Sequence, residues 1–419
     1  MLFTAMSLAF AICMLGVFAP EAQAIQTRQT DVTSASTGNV LLGLDGTYST
    51  AGKTAVLKRI NEIREEACQG NKVPDPRDPS RMLTKADYVP IKWSADLERI
   101  AQTRAAEGSV CQSHTRPNEL SCFDIYQDQD VSSFGENLAW NYSGMLDGID
   151  QWYGEKNDWV KQNGGMTGHY ESLINPKHTH VALGAFTPKA GGWTCVAGEF
   201  SNPAWCGGTD ISEAEIGVKG AYRQLVEVPK SSISGLSVSG AGTIKGIGSK
   251  QYGAVAVVWL DSVYGGSQEV EMVPLGDLAW KSSDASVASI SATGKASSAK
   301  CGSTKISVTS SSLNMTGKKT VKVVPAPTKI TKAKSKKKAI TVKWQKKASL
   351  AKGYQIRYSV KKSMKGSKTV TVKGAAKGAK SIKKLKAKTK YYVQVRSYAK
   401  VDGKLYTSSW SKKKAVKTK

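Results

Sequence analysis

The chain has 419 residues, and 60 Lys and Arg against 33 Asp and Glu give it a formal charge of +27 at neutral pH. That length exceeds what a single hydrophobic core usually serves, and 40% hydrophobic residues exclude a wholly disordered polymer. The charge is not a property of the whole chain: residues 326–419 hold 31 Lys and Arg and one acid, Asp402, whereas the first 325 residues are net −3.

In chain order, the first feature is an apolar run from Leu2 to Ala19, closed by Pro20 and the small-residue pattern Ala22-Gln23-Ala24. This reads as a secretory signal peptide over residues 1–24, so the protein is expected to be secreted, extracellular or cell-wall associated. No second apolar run reaches the roughly 18 residues that span a bilayer, so no transmembrane segment is expected. Residues 25–50, rich in Thr, Ser and Gly, read as a linker. A helix follows, with Val56, Ile60, Ile63 and Ala67 on one face. A second starts at Ser94, a good N-cap, and buries Leu97, Ile100 and Ala101. A third is expected over Leu146–Trp159.

Val181–Phe186 and Trp193–Phe200, joined by a Gly-rich turn, form a hairpin, and a short helix is expected near Glu213–Val226. Residues 51–227 thus form an α+β or three-layer domain with a C-terminal extension. Helical periodicity then stops. Val255, Val257 and Trp259 alternate, as do Ile306 and Val308, and Val321 and Val323, so residues 228–325 read as a β-sandwich. In residues 326–419 the apolar positions Ile340, Val342 and Trp344, then Tyr354, Ile356 and Tyr358, then Tyr391, Val393 and Val395 also recur every second residue. A solvated polycation has no reason to keep that period, so this is a folded sandwich with lysines on loops and outward positions.

Six cysteines follow the signal peptide: Cys68, Cys111, Cys122, Cys195, Cys206 and Cys301. They allow fifteen pairings, with Cys111/Cys122 and Cys195/Cys206 the locally easy ones, and none has the C-x-x-C spacing of a cysteine zinc site. The four histidines, His114, His169, His178 and His180, all fall in the first domain. His178 and His180 form an H-x-H pair, read either as ligands or as strand-edge residues. The sequence has no G-x-S-x-G or H-E-x-x-H motif.

Four motifs occur in order: Ser113-His114-Thr115-Arg116-Pro117, Gly135-Glu136-Asn137-Leu138, Trp152-Tyr153-Gly154-Glu155 and Gly168-His169-Tyr170. Over residues 53–200 this order resembles the CAP superfamily of cysteine-rich secretory, antigen 5 and pathogenesis-related proteins. The resemblance implies an α-β-α sandwich and a central-cleft tetrad of His114, Glu136, Glu155 and His169, with Asn137 and Tyr170 shaping the cleft. The longer cysteine pattern of the eukaryotic branch is missing, so that branch's disulfides are not carried over. Residues 228–325 resemble a bacterial immunoglobulin-like group 2 domain through Trp280-Lys281-Ser282-Ser283-Asp284 and Gly294-Lys295. Residues 326–419 resemble fibronectin type III through Trp344, the Leu385…Thr389-Lys390-Tyr391 tyrosine corner and Trp410-Ser411.

The expected architecture is therefore multidomain: an α-β-α sandwich CAP domain followed by two all-β immunoglobulin-like sandwiches. Two imidazoles and two carboxylates in one cleft support three chemistries. His114 and His169 can bind zinc or another divalent metal, with the glutamates orienting them or polarising a bound water. Glu136 or Glu155 can act as the base of a hydrolase on a peptide, lipid or cell-wall substrate. The cleft can also be a hydrogen-bonded brace without chemistry. CAP domains imply a secreted binding or effector module, with no catalytic residue assigned on the leading reading. The basic domain suggests an anionic cell-wall polymer or a host surface polyanion as partner. It lacks the recognition helix or aromatic-interleaved open sheet of nucleic-acid readers.

Overall fold

The computed structural model describes residues 25–207, 211–263, 265–346 and 348–419, so the expected signal peptide lies outside the described residues. No described helix is long and apolar enough to cross a membrane.

The first strands are β1 (Gln26–Arg28) and β2 (Asn39–Tyr48), followed by α1 (Lys53–Ala67). Short strands β3 (Pro74–Asp75), β4 (Asp78–Met82) and β5 (Lys92–Trp93) lead to α2 (Ala95–Gly108) and β6 (Gly135–Asn141). Next come α3 (Met145–Tyr153), α4 (Lys156–Lys161), α5 (Gly168–Ile174), β7 (His180–Pro188), β8 (Thr194–Ser201) and β9 (Gly220–Pro229). Both expected helix starts hold: α1 buries Val56, Ile60, Ile63 and Ala67, and Ser94 caps α2 by accepting the Leu97 amide at 3.4 Å. The antiparallel strands β6, β8 and β7 lie between α2 and the group α1, α3 and α5, giving the expected three layers. Contact between layers is close. A side chain on Gly184 of β7 would meet the Ala101 carbonyl of α2 at 2.2 Å.

Three local expectations need correction. Residues 25–50 are not a linker, because β2 pairs antiparallel with β9 from Asn39↔Pro229 to Tyr48↔Gly220. The segment near 213–226 is not a helix, since β9 occupies its end and Gln224 through Pro229 are all buried. Each strand is specified by the other, about 180 residues away, and neither carries a local alternation that shows it. The expected third helix is two, α3 and α4, broken at Gly154-Glu155.

Strands β10 (Ile233–Ser239), β11 (Thr243–Lys245), β12 (Gly248–Gln251), β13 (Gly253–Asp261) and β14 (Ser267–Pro274) follow. The second region ends with β15 (Leu278–Ser282), β16 (Ala288–Ile290), β17 (Lys295–Ser298), β18 (Gly302–Ser310) and β19 (Met315–Val324). One sheet runs β10-β13-β14-β2-β7-β8-β6, continuous from this region into the first domain through Val273↔Gly43 and Pro274↔Leu42. The core is shared too: Leu42, Phe186 and Val226 pack in one cluster with Ala256, Met272 and Leu313. Ile306, Val308, Val321 and Val323 are buried as expected. On β13 the phase is reversed: Ala254, Ala256, Val258 and Leu260 face inward and Trp259 is 45% exposed. Both faces of Gly253–Asp261 are apolar, so tertiary packing chose between them.

The last region contains β20 (Ile330–Lys336), β21 (Ala339–Trp344), β22 (Gly353–Ser359), β23 (Lys368–Lys373), β24 (Ala379–Ile382), β25 (Lys390–Val401), β26 (Lys404–Thr407) and β27 (Lys414–Lys417). They form two sheets, β20-β21-β24 and β23-β22-β25-β26 with β27 on β25, closed over their own core of Ile340, Val342, Trp344, Tyr354, Ile356, Val393 and Val395. The Tyr391 hydroxyl accepts the Lys386 amide at 3.2 Å, the expected tyrosine corner. Trp410 lies before the last strand, stacked between the Arg357 and Arg396 guanidiniums at 4.5 and 4.3 Å.

Candidate functional site: two histidine–glutamate pairs, one on a buried ion ladder

Each of the two Gly-flanked histidines is held by its own glutamate. His114, on the loop after α2, places Nδ1 2.8 Å from Glu136 Oε1, and its side chain is 58% exposed. His169, near the start of α5, places Nδ1 2.5 Å from Glu155 Oε1. Glu155 sits in the break between α3 and α4, and its Oε2 accepts the amides of His169 and Tyr170 at 3.0 and 3.2 Å. The helix break is thus what frees Glu155 to reach α5.

Asn137 donates Nδ2 to the His169 carbonyl at 2.9 Å, joining β6 to α5, while its buried Oδ1 has no hydrogen-bond partner. The Tyr170 side chain is fully buried in the core against Tyr153 and contributes its backbone, not its ring, to the Glu155 contact. His178 and His180 lie elsewhere. His178 Nδ1 is 3.0 Å from the Ser172 carbonyl, its ring stacks on Phe200, and burial lowers its pKa, the setting of a structural histidine.

Beneath His114 lies a set of charges of which Arg104, Glu107 and Asp31 belong to no motif. Arg104 of α2, fully buried, donates to both oxygens of Glu136 at 2.6 and 3.1 Å and to Glu107 at 2.8 Å. Glu107 in turn accepts from Arg116 at 2.9 and 3.1 Å, and Arg116 clasps Asp31 at 2.6 and 2.9 Å. The ladder Asp31–Arg116–Glu107–Arg104–Glu136–His114 therefore begins in the segment expected to be a linker. Burial acts to raise the Glu136 carboxyl, but Arg104 and His114 outweigh it and bring it down to about 2.

Opposite Glu136 in the β6–β8 register stands Glu199. Its Oε2 accepts the Ser133 hydroxyl at 2.7 Å, and Oε1 has no partner at hydrogen-bond distance. Burial, then the negative charge of Glu136, hold Glu199 well above the usual carboxylate range. Cys122 completes the group: its Sγ, a His114 ring nitrogen and a Glu136 oxygen all lie within 4.8 Å of one another. Burial and the two carboxyls push the Cys122 thiol up to about 12. All six described cysteines are free thiols, so neither locally easy pairing is made.

One nitrogen, one sulfur and one oxygen donor form a possible metal-binding group that suits zinc. It contains His114 but neither His169 nor Glu155, which differs from the expected pair of histidine ligands. The donors fit a cation only if the thiol proton and the His114–Glu136 hydrogen bond give way, so affinity must rise with pH.

The sequence between α2 and β6 also touches the second region. Gln112 donates its amide to the Asp261 carbonyl at 2.9 Å, and Gln268 Nε2 donates to the Val110 carbonyl at 2.8 Å. The His114 loop is thus pinned from both sides.

Residues 57–197 match the CAP family model, described as the cysteine-rich secretory protein family, and residues 325–412 match the fibronectin type III domain. No curated protein matches the chain. Among solved structures, one described as a myokine is 20% identical with a TM-score of 0.19, covering 22% of this chain and 95% of the other. The fibronectin type III domain of human contactin 1 is 20% identical over 22% of this chain and 76% of its own, with a TM-score of 0.19. The FN5 domain of Drosophila Lar is 24% identical over 22% of this chain and 92% of its own, with a TM-score of 0.17.

Proposed function

We propose that this chain, which carries a CAP domain and a fibronectin type III domain, is a secreted bacterial binding or effector protein. Its His/Glu cleft takes a divalent metal, and its basic module holds it at a cell wall or another polyanionic surface. The observation that carries the cleft reading is the donor group of His114, Cys122 and Glu136, whose His114 ring is exposed to solvent. His114 would provide the solvent-facing ligand, Cys122 the thiolate and Glu136, fixed by Arg104, the carboxylate oxygen. A zinc ion there supplies Lewis acidity and an exchangeable position for an outside ligand.

Hydrolysis with Glu136 or Glu155 as base is the weaker reading. Glu136, at about 2 and clamped by a guanidinium, is a poor proton acceptor. Glu155 already spends both oxygens on His169 and two backbone amides.

Zinc titration of the full chain by calorimetry tests the cleft. His114→Ala is expected to lower affinity at least about tenfold, the cost of losing one good ligand, and Cys122→Ser to lower it less. Affinity unchanged in His114→Ala would remove the metal reading. A loss in His169→Ala equal to that in His114→Ala would restore the two-histidine site.

A further inference from the structure

The outward face of the sheet β20-β21-β24 carries a lysine array whose arrangement costs the fold. Thr341 Oγ1 and Ser381 Oγ lie 2.8 Å apart, which fixes that face as the one bearing residues 339, 341 and 343 of β21. In register with these stand Lys336, Lys334 and Lys332 of β20. Lys332, Lys334, Lys336 and Lys343 are all exposed, and Lys332 is the direct cross-strand partner of Lys343. Like charges directly opposed on a sheet destabilise it.

Lysines on β20 protect an edge strand from pairing with another chain. That does not account for Lys343, which stands on the central strand β21, between β20 and β24. No ion pair engages these lysines: among the described residues every ion pair lies at or before Arg223, and Asp402, in the turn between β25 and β26, belongs to the other sheet. The other sheet differs. Its Arg357 and Arg396 are bound to Gln394 and Gln355 and flank Trp410, so their guanidiniums are already engaged.

We infer that the β20-β21-β24 face binds a single-chain polyol-phosphate polymer, lying along β20 with its phosphates against Lys332, Lys334, Lys336 and Lys343. The inference rests on the reading of the basic module as the attachment device and names both the face and the polymer class. Alternate residues of a strand stand about 6.8 Å apart. A phosphodiester chain with a three-carbon polyol between phosphates repeats over six bonds, about 7 Å when extended. Lysine ammoniums are point charges that match phosphates by spacing, whereas this face has no free arginine fork for planar carboxylates. It also has no aromatic ring on which nucleobases could stack, which a single-stranded nucleic acid would require.

The test uses the full chain and poly(glycerol phosphate) as probe, with affinity measured across salt concentrations. Two variants remove equal charge: Lys332→Gln/Lys334→Gln/Lys343→Gln on the face, and Lys361→Gln/Lys368→Gln/Lys404→Gln away from it. The face variant is expected to bind about tenfold weaker or worse at low salt, with a salt slope shallower by about 2, and the control to stay within about twofold. The face variant should melt at or above the parent temperature, because it removes the Lys332–Lys343 repulsion, so weak binding cannot come from unfolding. Equal loss in both variants would overturn the face assignment and leave the attachment reading standing. No binding by the unmodified chain at low salt would overturn the attachment reading itself. Binding of oligo-dT or polyglutamate as tight as that of poly(glycerol phosphate) would overturn the polyol-phosphate assignment.

Discussion

Glu136 and Glu199 face each other across β6 and β8 with their carboxyls shifted in opposite directions, and that sets a pH signature. Glu136 is depressed in the folded chain to about 2 from about 4.5, so its contribution is complete above pH 4.5 and fades as pH falls toward 2. Glu199 is raised, so keeping it neutral costs stability progressively as pH rises above 4.5. Glu199→Gln keeps an acceptor for Ser133 and a donor toward Glu136 without that cost. It should therefore raise the melting temperature at pH 8 and change it little near pH 5. A lower melting temperature at pH 8 would show that Glu199 is charged. Arg104→Met should destabilise by about 3–5 kcal/mol in urea unfolding, because it strands the buried Glu136 carboxylate and leaves Glu107 with Arg116 alone.

The histidine–glutamate pairs were legible in sequence because short motifs carry them. The ladder was not. Arg116 lies within a motif, but Arg104 and Glu107 on α2 belong to none, and nothing local marks them until the fold buries them against each other.

At the scale of elements, β2 is the seam of the molecule. It pairs with β9 along its full length, and its other edge is divided between β14 at Leu42–Gly43 and β7 at Gly46–Tyr48. The segment before β2 supplies Asp31 to Arg116 and the Ser36 amide to Glu227 at 2.6 Å. A chain beginning at residue 51 should consequently lose the common core and expose β9 and β7 as bare edges. Light scattering and limited proteolysis of chains starting at 25 and at 51 would check this. A monodisperse, protease-resistant product from residue 51 would contradict it. Amphipathic helices were readable from their apolar spacing, as in α1 and α2. Strands paired over long separations were not, since β2 and β9 are each defined by a partner and not by a local pattern.

For the whole molecule, three sequence regions pack as two bodies, the second region adding a core of its own around Ile306 and Val321. The CAP and second regions share a sheet and a core cluster, whereas the fibronectin-like region closes over its own core. It touches its neighbour through contacts such as the Ile247 amide on Ser349 Oγ at 2.9 Å, Cys301 Sγ 3.9 Å from the Leu350 carbonyl, and Leu350 packed against the second region's core. Scanning calorimetry should show two transitions, the larger one for residues 25–324. Three resolved transitions would mean that the shared core does not couple the first two regions.

The continuous sheet also defines a path for force. If the basic module is tethered and the CAP domain is pulled by whatever it has bound, tension enters at the connection near Ala326. That connection is held by few hydrogen bonds, whereas the seam at β2 is backed by a whole core. The fibronectin-like module is then the part that yields, lengthening like a fuse while the cleft keeps its shape. The His114 loop carries the same load, but it is braced on the body that stays folded, through Gln112 on Asp261 and Gln268 on Val110.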